Sequence, residues 1–312
     1  RCIIDSLYTG EQADELAEDF LTRAEKAGRP SAPYEVKERF CARLCELKGV
    51  LASRSDKLED AIAAFEEAVG HDPRSLVARK ALANGRMARQ QPARAVIHFE
   101  NLQRLEPKNL GWRRGMLRAL AAEAKAKNQV DAYFASILLE KRQILLEDPT
   151  NPVALFDLGT ALTVFERDVS AEQGGCGAIH YLKLALQKDA DNPWYLLAIK
   201  DFLVSSLSKG SGWEQAAQLM EKAVANESAA AQIHLEYAEL LMKKPGGCDS
   251  ECARKHFELA LGKNPALAQV HFGLGKLAVV EDSMDEARKH FHKGLRLAPF
   301  VKGAQEARKM VG

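Results

Sequence analysis

Small and aromatic side chains recur along this chain at a fixed interval. Ala61, Phe65, Ala68 and Pro73 form one block, and Ala95, Phe99, Leu102 and Pro107 repeat it 34 residues later. Ala253, Phe257, Ala260 and Pro265, then Ala287, Phe291, Gly294 and Pro299, repeat it again at the same 34-residue step. Within a block the apolar positions fall three and four apart, which puts them on one face of an α-helix. The proline after each block cannot continue the helix and ends the unit. A helix-turn-helix unit repeated at this period predicts an all-α solenoid built by stacking.

The pattern divides the chain into a cap, about seven units and a tail. Glu11 to Ala27 reads as an acidic amphipathic helix, with Gly28-Arg29-Pro30 as its stop. Unit one pairs a helix over Tyr34–Ser53 with one over Leu58–Gly70, unit two closes at Pro107 and unit three at Pro149. Unit four carries Leu158-Gly159 and then Ala178, Leu182 and Ala185; unit five carries Trp213, Ala216, Met220 and Ala223. Units six and seven end at Pro265 and Pro299, and a short basic helix follows. The expected organisation is a capping region over 1–33, repeats over 34–300 and a capping tail over 301–312.

Helix approach explains the residue choice. Gly49, Ala83, Gly159 and Gly275 on first helices face Ala61, Ala95, Ala178 and Ala287 on second helices. Small side chains at a crossing let two axes come close, and the aromatic four residues on fills the next groove. These blocks resemble the tetratricopeptide repeat family, with its Leu-Gly pair on the first helix, Ala-x3-Phe-x2-Ala on the second and a closing proline. Leu274-Gly275, Ala287, Phe291, Gly294 and Pro299 follow that pattern nearly position for position, and Leu158-Gly159 matches its first half. In unit three the match lapses, since Ile137 and Lys141 stand where a small residue and an aromatic are expected; unit five is irregular too. The resemblance implies a right-handed superhelix whose first helices line a concave groove, a seat for a peptide or partner protein.

Composition adds little. Lys plus Arg number 44 against 43 Asp plus Glu, a net charge of +1 that favours neither nucleic acid nor membrane. No apolar run reaches the ~18 residues of a membrane span. The six cysteines (Cys2, Cys41, Cys45, Cys176, Cys248, Cys252) do not resemble a secreted disulfide framework, which points to a reducing, cytoplasmic compartment. The chain starts at Arg1 without a Met, which reads as a fragment or processed form and leaves room for a removed targeting segment. Nothing in the sequence sets an oligomeric state.

Insertions break the period twice. Gly49 to Ala61 and Gly275 to Ala287 are both twelve residues, whereas Gly159 to Ala178 is nineteen and Ala238 to Ala253 fifteen. The extra residues fall around Asp168–Gly177 and in Lys244-Pro245-Gly246-Gly247, within 243–250. They read either as drift in tolerant turns or as contacts along one edge.

Candidate chemistry is sparse. There is no Walker-type loop, His-Glu-x-x-His pair or nucleophile elbow. Gly273-Leu274-Gly275-Lys276 falls on the Leu-Gly position and reads as helix packing. Cys248, Cys252 and His256 are spaced by four, but Cys248 precedes the helix, Asp249 or Ser250 caps it, and His256 is expected to point outward. They form a weak metal candidate, with Cys176 the only further thiol from another loop. A non-enzymatic chain without cofactor or metal is the expectation.

Charge is uneven along the chain. Arg74, Arg79, Lys80, Arg86, Arg89, Arg94, Arg104, Lys108, Arg113, Arg114 and Arg118 face only Glu100 and Glu106 in the same stretch. Phased by the prolines, Lys80, Asn84 and Met87 fall on the groove side of one first helix, and Arg114 and Arg118 on the next. Phe156 and Thr160, then Phe272 and Lys276, continue that face. The reading is a scaffold whose groove is basic in its N-terminal third. Lys80, Asn84, Arg114 and Arg118 would hold acidic groups of a partner, and Phe156 and Phe272 its apolar side chains. Lys80-x3-Asn84 resembles the opening of the carboxylate clamp of chaperone-cochaperone repeats, but Gly115, Val153 and Asp157 depart from the rest of it. Two alternatives stand beside this: an architectural subunit of a larger assembly, and a helical-repeat RNA binder using the same arginines. The near-neutral total charge counts against RNA, as does having only Trp112 nearby as an exposed aromatic for base stacking.

Overall fold

The computed structural model describes residues 13–27, 34–55, 57–165, 177–190, 192–206, 211–226, 229–298 and 303–311. These form sixteen helices with no strand among the described residues. In order they are α1 (Ala13–Ala27), α2 (Tyr34–Arg54), α3 (Leu58–His71), α4 (Leu76–Ala88), α5 (Pro92–Leu105), α6 (Leu110–Ala126), α7 (Val130–Glu147) and α8 (Pro152–Val164). The rest are α9 (Ala178–Lys188), α10 (Pro193–Ser206), α11 (Ser211–Val224), α12 (Ala231–Leu241), α13 (Ser250–Lys263), α14 (Ala268–Val280), α15 (Met284–Leu297) and α16 (Ala304–Val311). An all-α arrangement of antiparallel helix pairs agrees with the period of the sequence.

The prolines do more than end a helix. Two residues after Pro73, Pro107 and Pro149 come Ser75, Asn109 and Asn151, the N-caps of α4, α6 and α8. Their side chains accept from the amides of Ala78, Gly111 and Ala154, so one short turn closes a repeat and opens the next. Turns inside a hairpin use a different device. Gln90, Asn128 and Asp282 sit at φ 56°, 54° and 60°, each one residue past the C-cap of α4, α6 or α14. The Gln91 amide reaches the carbonyl of Arg86 and the Gln90 amide that of Met87, a helix-ending motif that turns the chain back.

The repeat positions named from the sequence carry the core. Ala61, Ala68, Ala83, Ala95, Leu102, Ala178, Ala253 and Ala260 have no exposed area, and Phe65, Phe99, Phe257 and Phe291 are buried. In the degenerate unit, Ile137 is buried and Lys141, where an aromatic is expected, is 6% exposed. There α6 rests against α8 more than against its own partner α7. The three-residue insertion forms the turn between α12 and α13, where Gly246 and Gly247 sit at φ 90° and 140° with no atom within 4 Å of an added Cβ. The other insertion lies mostly in 166–176, outside the described residues, as does Cys176.

The chain forms two compact units, one of residues 1–107 with 266–312 and one of residues 108–265. This division cuts across the expected cap, repeat and tail segments. The first unit holds one cluster around Cys45, Ile62, Phe65 and Leu82 and another around Phe272, Phe291, Ala304 and Ala307. In the second, Leu158, Leu182, Leu197, Met220, Leu235 and Phe257 are fully buried.

Candidate functional site

Charged side chains form a ladder across α6, α8, α10 and α12 of the second unit. Arg113 donates a bifurcated hydrogen bond from Nε to both oxygens of Asp157 and another from Nη2 to Oδ2, the last at 2.6 Å. Lys141 of α7 lies 3.4 Å from the same carboxylate, which is 2% exposed. One turn on, Arg114 and Arg118 both donate to Asp201 Oδ2, Arg118 at 3.0 Å. Lys200 approaches Asp201 Oδ1 at 3.0 Å and pairs with Glu236, whose other oxygen accepts from Gln232 at 3.2 Å.

Shielding from water makes these pairs strongly coupled. Burial pushes the Glu236 carboxyl up, but Lys200 and Arg114 outweigh it and hold the carboxyl down at about 2. Arg114 falls to about 10, because burial and the neighbouring Arg118 both disfavour its charge, against the pull of Glu236. Lys200 is lowered by burial despite Glu236. Asp201 is thus shared by three cations, and Arg118 keeps about half of its side chain, 53%, open to solvent.

The residues singled out from the sequence have varied fates. Arg114 and Arg118 lie together on α6, but both are engaged by Asp201 and Arg114 is 8% exposed. Phe156 is fully buried against Tyr195, with ring centres 5.6 Å apart, and Thr160 is 3% exposed. Phe272 is 2% exposed beneath Gly294 and Gly303. These three are core positions, which corrects the expectation that the two phenylalanines meet a partner. Their helices α8 and α14 are apolar nearly all round, so periodicity alone did not separate inner face from core.

In the first unit, Lys80 on α4 is exposed and its pKa is lowered by the surrounding protein, against the pull of Glu106. Asn84 and Met87, on the same helix, are half-buried. Lys276 pairs with Glu306 of α16. At the weak metal candidate, Asp249 caps α13 by accepting from the Cys252 amide, with Cys248 outside the helix. His256 turns inward to His234 rather than outward. Among the described residues, no three His, Cys, Asp or Glu side chains converge as a metal site would require.

The basic stretch is less basic in space than in sequence. Arg86 pairs with Glu66, Arg89 with Glu59, Arg113 with Asp157, and Arg114 and Arg118 with Asp201. All four acids lie outside the Arg74–Arg118 segment, so a count within it omits them. Asp157, Lys200, Asp201 and Glu236 were missed as members of the site. Their signal is a charge inside an otherwise apolar first helix, as in Leu155-Phe156-Asp157-Leu158 and Ala198-Ile199-Lys200-Asp201-Phe202.

No family model and no curated protein matches the sequence. Among solved structures, a tetratricopeptide repeat protein from Parabacteroides merdae is similar at TM-score 0.44 and 11% identity, covering 87% of this chain and 97% of its own. YrrB, described as a TPR protein with an unusual peptide-binding site, is similar at TM-score 0.37 and 15% identity, over 80% of this chain and all of its own. Yeast Tom70 is similar at TM-score 0.49 and 15% identity over 96% of this chain, which spans 57% of the Tom70 chain. Among the described residues, no helix is long and apolar enough to cross a membrane.

Proposed function

We propose that this chain, built from tetratricopeptide-type helix pairs, is a non-enzymatic scaffold that holds an acidic segment of a partner protein at Arg118, beside the buried Arg114. The carrying observation is the sharing of Asp201 by Arg114, Arg118 and Lys200. One carboxylate cannot neutralise three cations. Glu236 offsets Lys200, which leaves positive charge at the partly open Arg118. A partner carboxylate there would gain a charge-assisted hydrogen bond on a guanidinium already oriented by the protein. Lys80 in the first unit is a second exposed cation suited to an acidic group.

Pull-down from native extract tests this, comparing wild type with Arg118→Glu and with Lys80→Glu, each with and without nuclease. Loss of a specific protein in Arg118→Glu, unaffected by nuclease, is the expected result. Loss that follows nuclease treatment would assign the arginines to RNA instead. A partner set unchanged by either substitution would overturn the acidic-segment reading in favour of an architectural subunit.

A further inference from the structure

Two histidine pairs occupy the same place in consecutive hairpins. His234 is the fourth residue of α12 and His256 the seventh of α13; His271 is the fourth of α14 and His290 the seventh of α15. In both, the two Nδ1 atoms meet, at 3.2 Å and 3.1 Å. Ring centres are 5.4 Å apart in each pair, and the ring planes differ by only 19° and 28°. Nitrogens this close with centres this far apart must both lie between the ring centres. The contact is therefore an in-plane N–H···N hydrogen bond joining first helix to second, edge to edge rather than face to face.

Proton placement follows in the second pair. His271 is 1% exposed and its Nε2 is buried without a hydrogen-bond partner. A bare lone pair there costs less than an unbonded N–H, so the His271 proton sits on Nδ1 and is donated to His290 Nδ1. His290 then carries its own proton on Nε2, which lies 3.9 Å from Glu286. An incoming proton has two destinations. One is His271 Nε2, enclosed and repelled by Lys293. The other is His290 Nδ1, where protonation sets two N–H groups against each other and breaks the bond.

We propose that the His271–His290 contact is an acid-released latch closing α14 on α15, with His234–His256 its counterpart between α12 and α13. Lys293, which acts on His271, and Glu286, beside His290, face the latch pair. The counterpart pair meets Lys263 and Lys255, and the Tyr237 ring packs on His256 at 4.8 Å. Lys293, Lys263 and Lys255 each disfavour a further positive charge. Burial, Lys293 and His290 lower His271 from 6.5 to about 4. A histidine lowered on folding contributes stability that is present above its unfolded value and lost as pH falls, here from 6.5 towards 4. Within that window the opening constant of the hairpin rises about tenfold per pH unit for each proton taken up. Hairpin two holds Arg79 and His98 at the same two positions, and hairpin one holds Cys45 opposite Ala64, which does not titrate in this range.

The test is hydrogen exchange of the full chain at pH 7 and pH 5, corrected for intrinsic rates, with the histidine-free α6–α7 as internal reference, since His71 of α3 meets Glu38 of α2. Wild-type α14 and α15 should lose roughly tenfold or more of their protection relative to α6–α7. The double variant His271→Leu, His290→Leu should keep it. An equal loss in wild type and variant, or no loss in wild type, overturns the latch. Should the variant fail to fold, the imidazole NMR signals of the wild type decide. A hydrogen-bonded Nδ1 proton that vanishes below pH 5 as α14 amides open supports the proposal. Two rings that titrate independently near 6.5 refute it.

Discussion

A Cβ on Gly275 would lie 2.5 Å from Cε1 of Phe291, closer than such atoms approach in proteins. The same relationship joins Gly49 to Phe65, at 2.9 Å. In both hairpins a first-helix glycine is the floor on which the second-helix aromatic lies flat.

Gly275→Ala should therefore force the Phe291 ring out of place and destabilise the chain by about 1–3 kcal/mol. Urea unfolding measures it. A loss of less than a few tenths would mean that the ring slides aside at little cost. Gly70, with nothing within 4 Å of an added Cβ, is the control: Gly70→Ala in a helix should stabilise slightly.

Asp157 holds Arg113 and Lys141 together in the interior. Asp157→Ala leaves the Arg113 guanidinium shielded from water without its carboxylate, while Lys141 keeps Glu140 at 2.6 Å, and should cost about 3–5 kcal/mol. Arg118→Ala, with its side chain 53% exposed, should change stability by less than about 1 kcal/mol. Equal effects from the two would contradict the burial assigned to the ladder.

Glu236 is a carboxyl held at about 2, so it contributes stability above its usual 4.5 and loses it as pH falls from 4.5 towards 2. Glu236→Gln should flatten that acid limb in pH-dependent unfolding. It should also lower stability at pH 7 by about 1–3 kcal/mol, because Lys200 keeps only Asp201, which Arg114 and Arg118 already share. An unchanged acid limb would show that another group governs it.

Gln90 adopts a left-handed conformation that suits glycine. Gln90→Gly should raise stability by about 0.5–1 kcal/mol, the relief of steric strain exceeding the added freedom of the unfolded chain. Thermal unfolding checks the sign.

Lys141 shows why one unit was harder to read. Its position calls for an aromatic, and the lysine fills it by placing its ammonium between Glu140, at 2.6 Å, and Asp157 of the next unit, at 3.4 Å. No rule of local spacing ties those two residues. The histidines carry a similar lesson: His234, His256, His271 and His290 repeat in register along the chain. Only the meeting of their Nδ1 atoms shows that each pair faces inward.

What the sequence by itself determined is the helix-pair repeat. Its causes are local: apolar residues three and four apart, a small residue at each crossing, and a proline followed by a capping Ser or Asn. Each acts within a few residues and can be read along the chain. Tertiary structure alone decided how the charges are spent and which aromatics are buried. Asp157 and Asp201 lie 44 and 87 residues from the arginines they engage, Arg113 and Arg114. Electrostatic attraction depends on distance in space, and stacking the repeats is what makes those distances short.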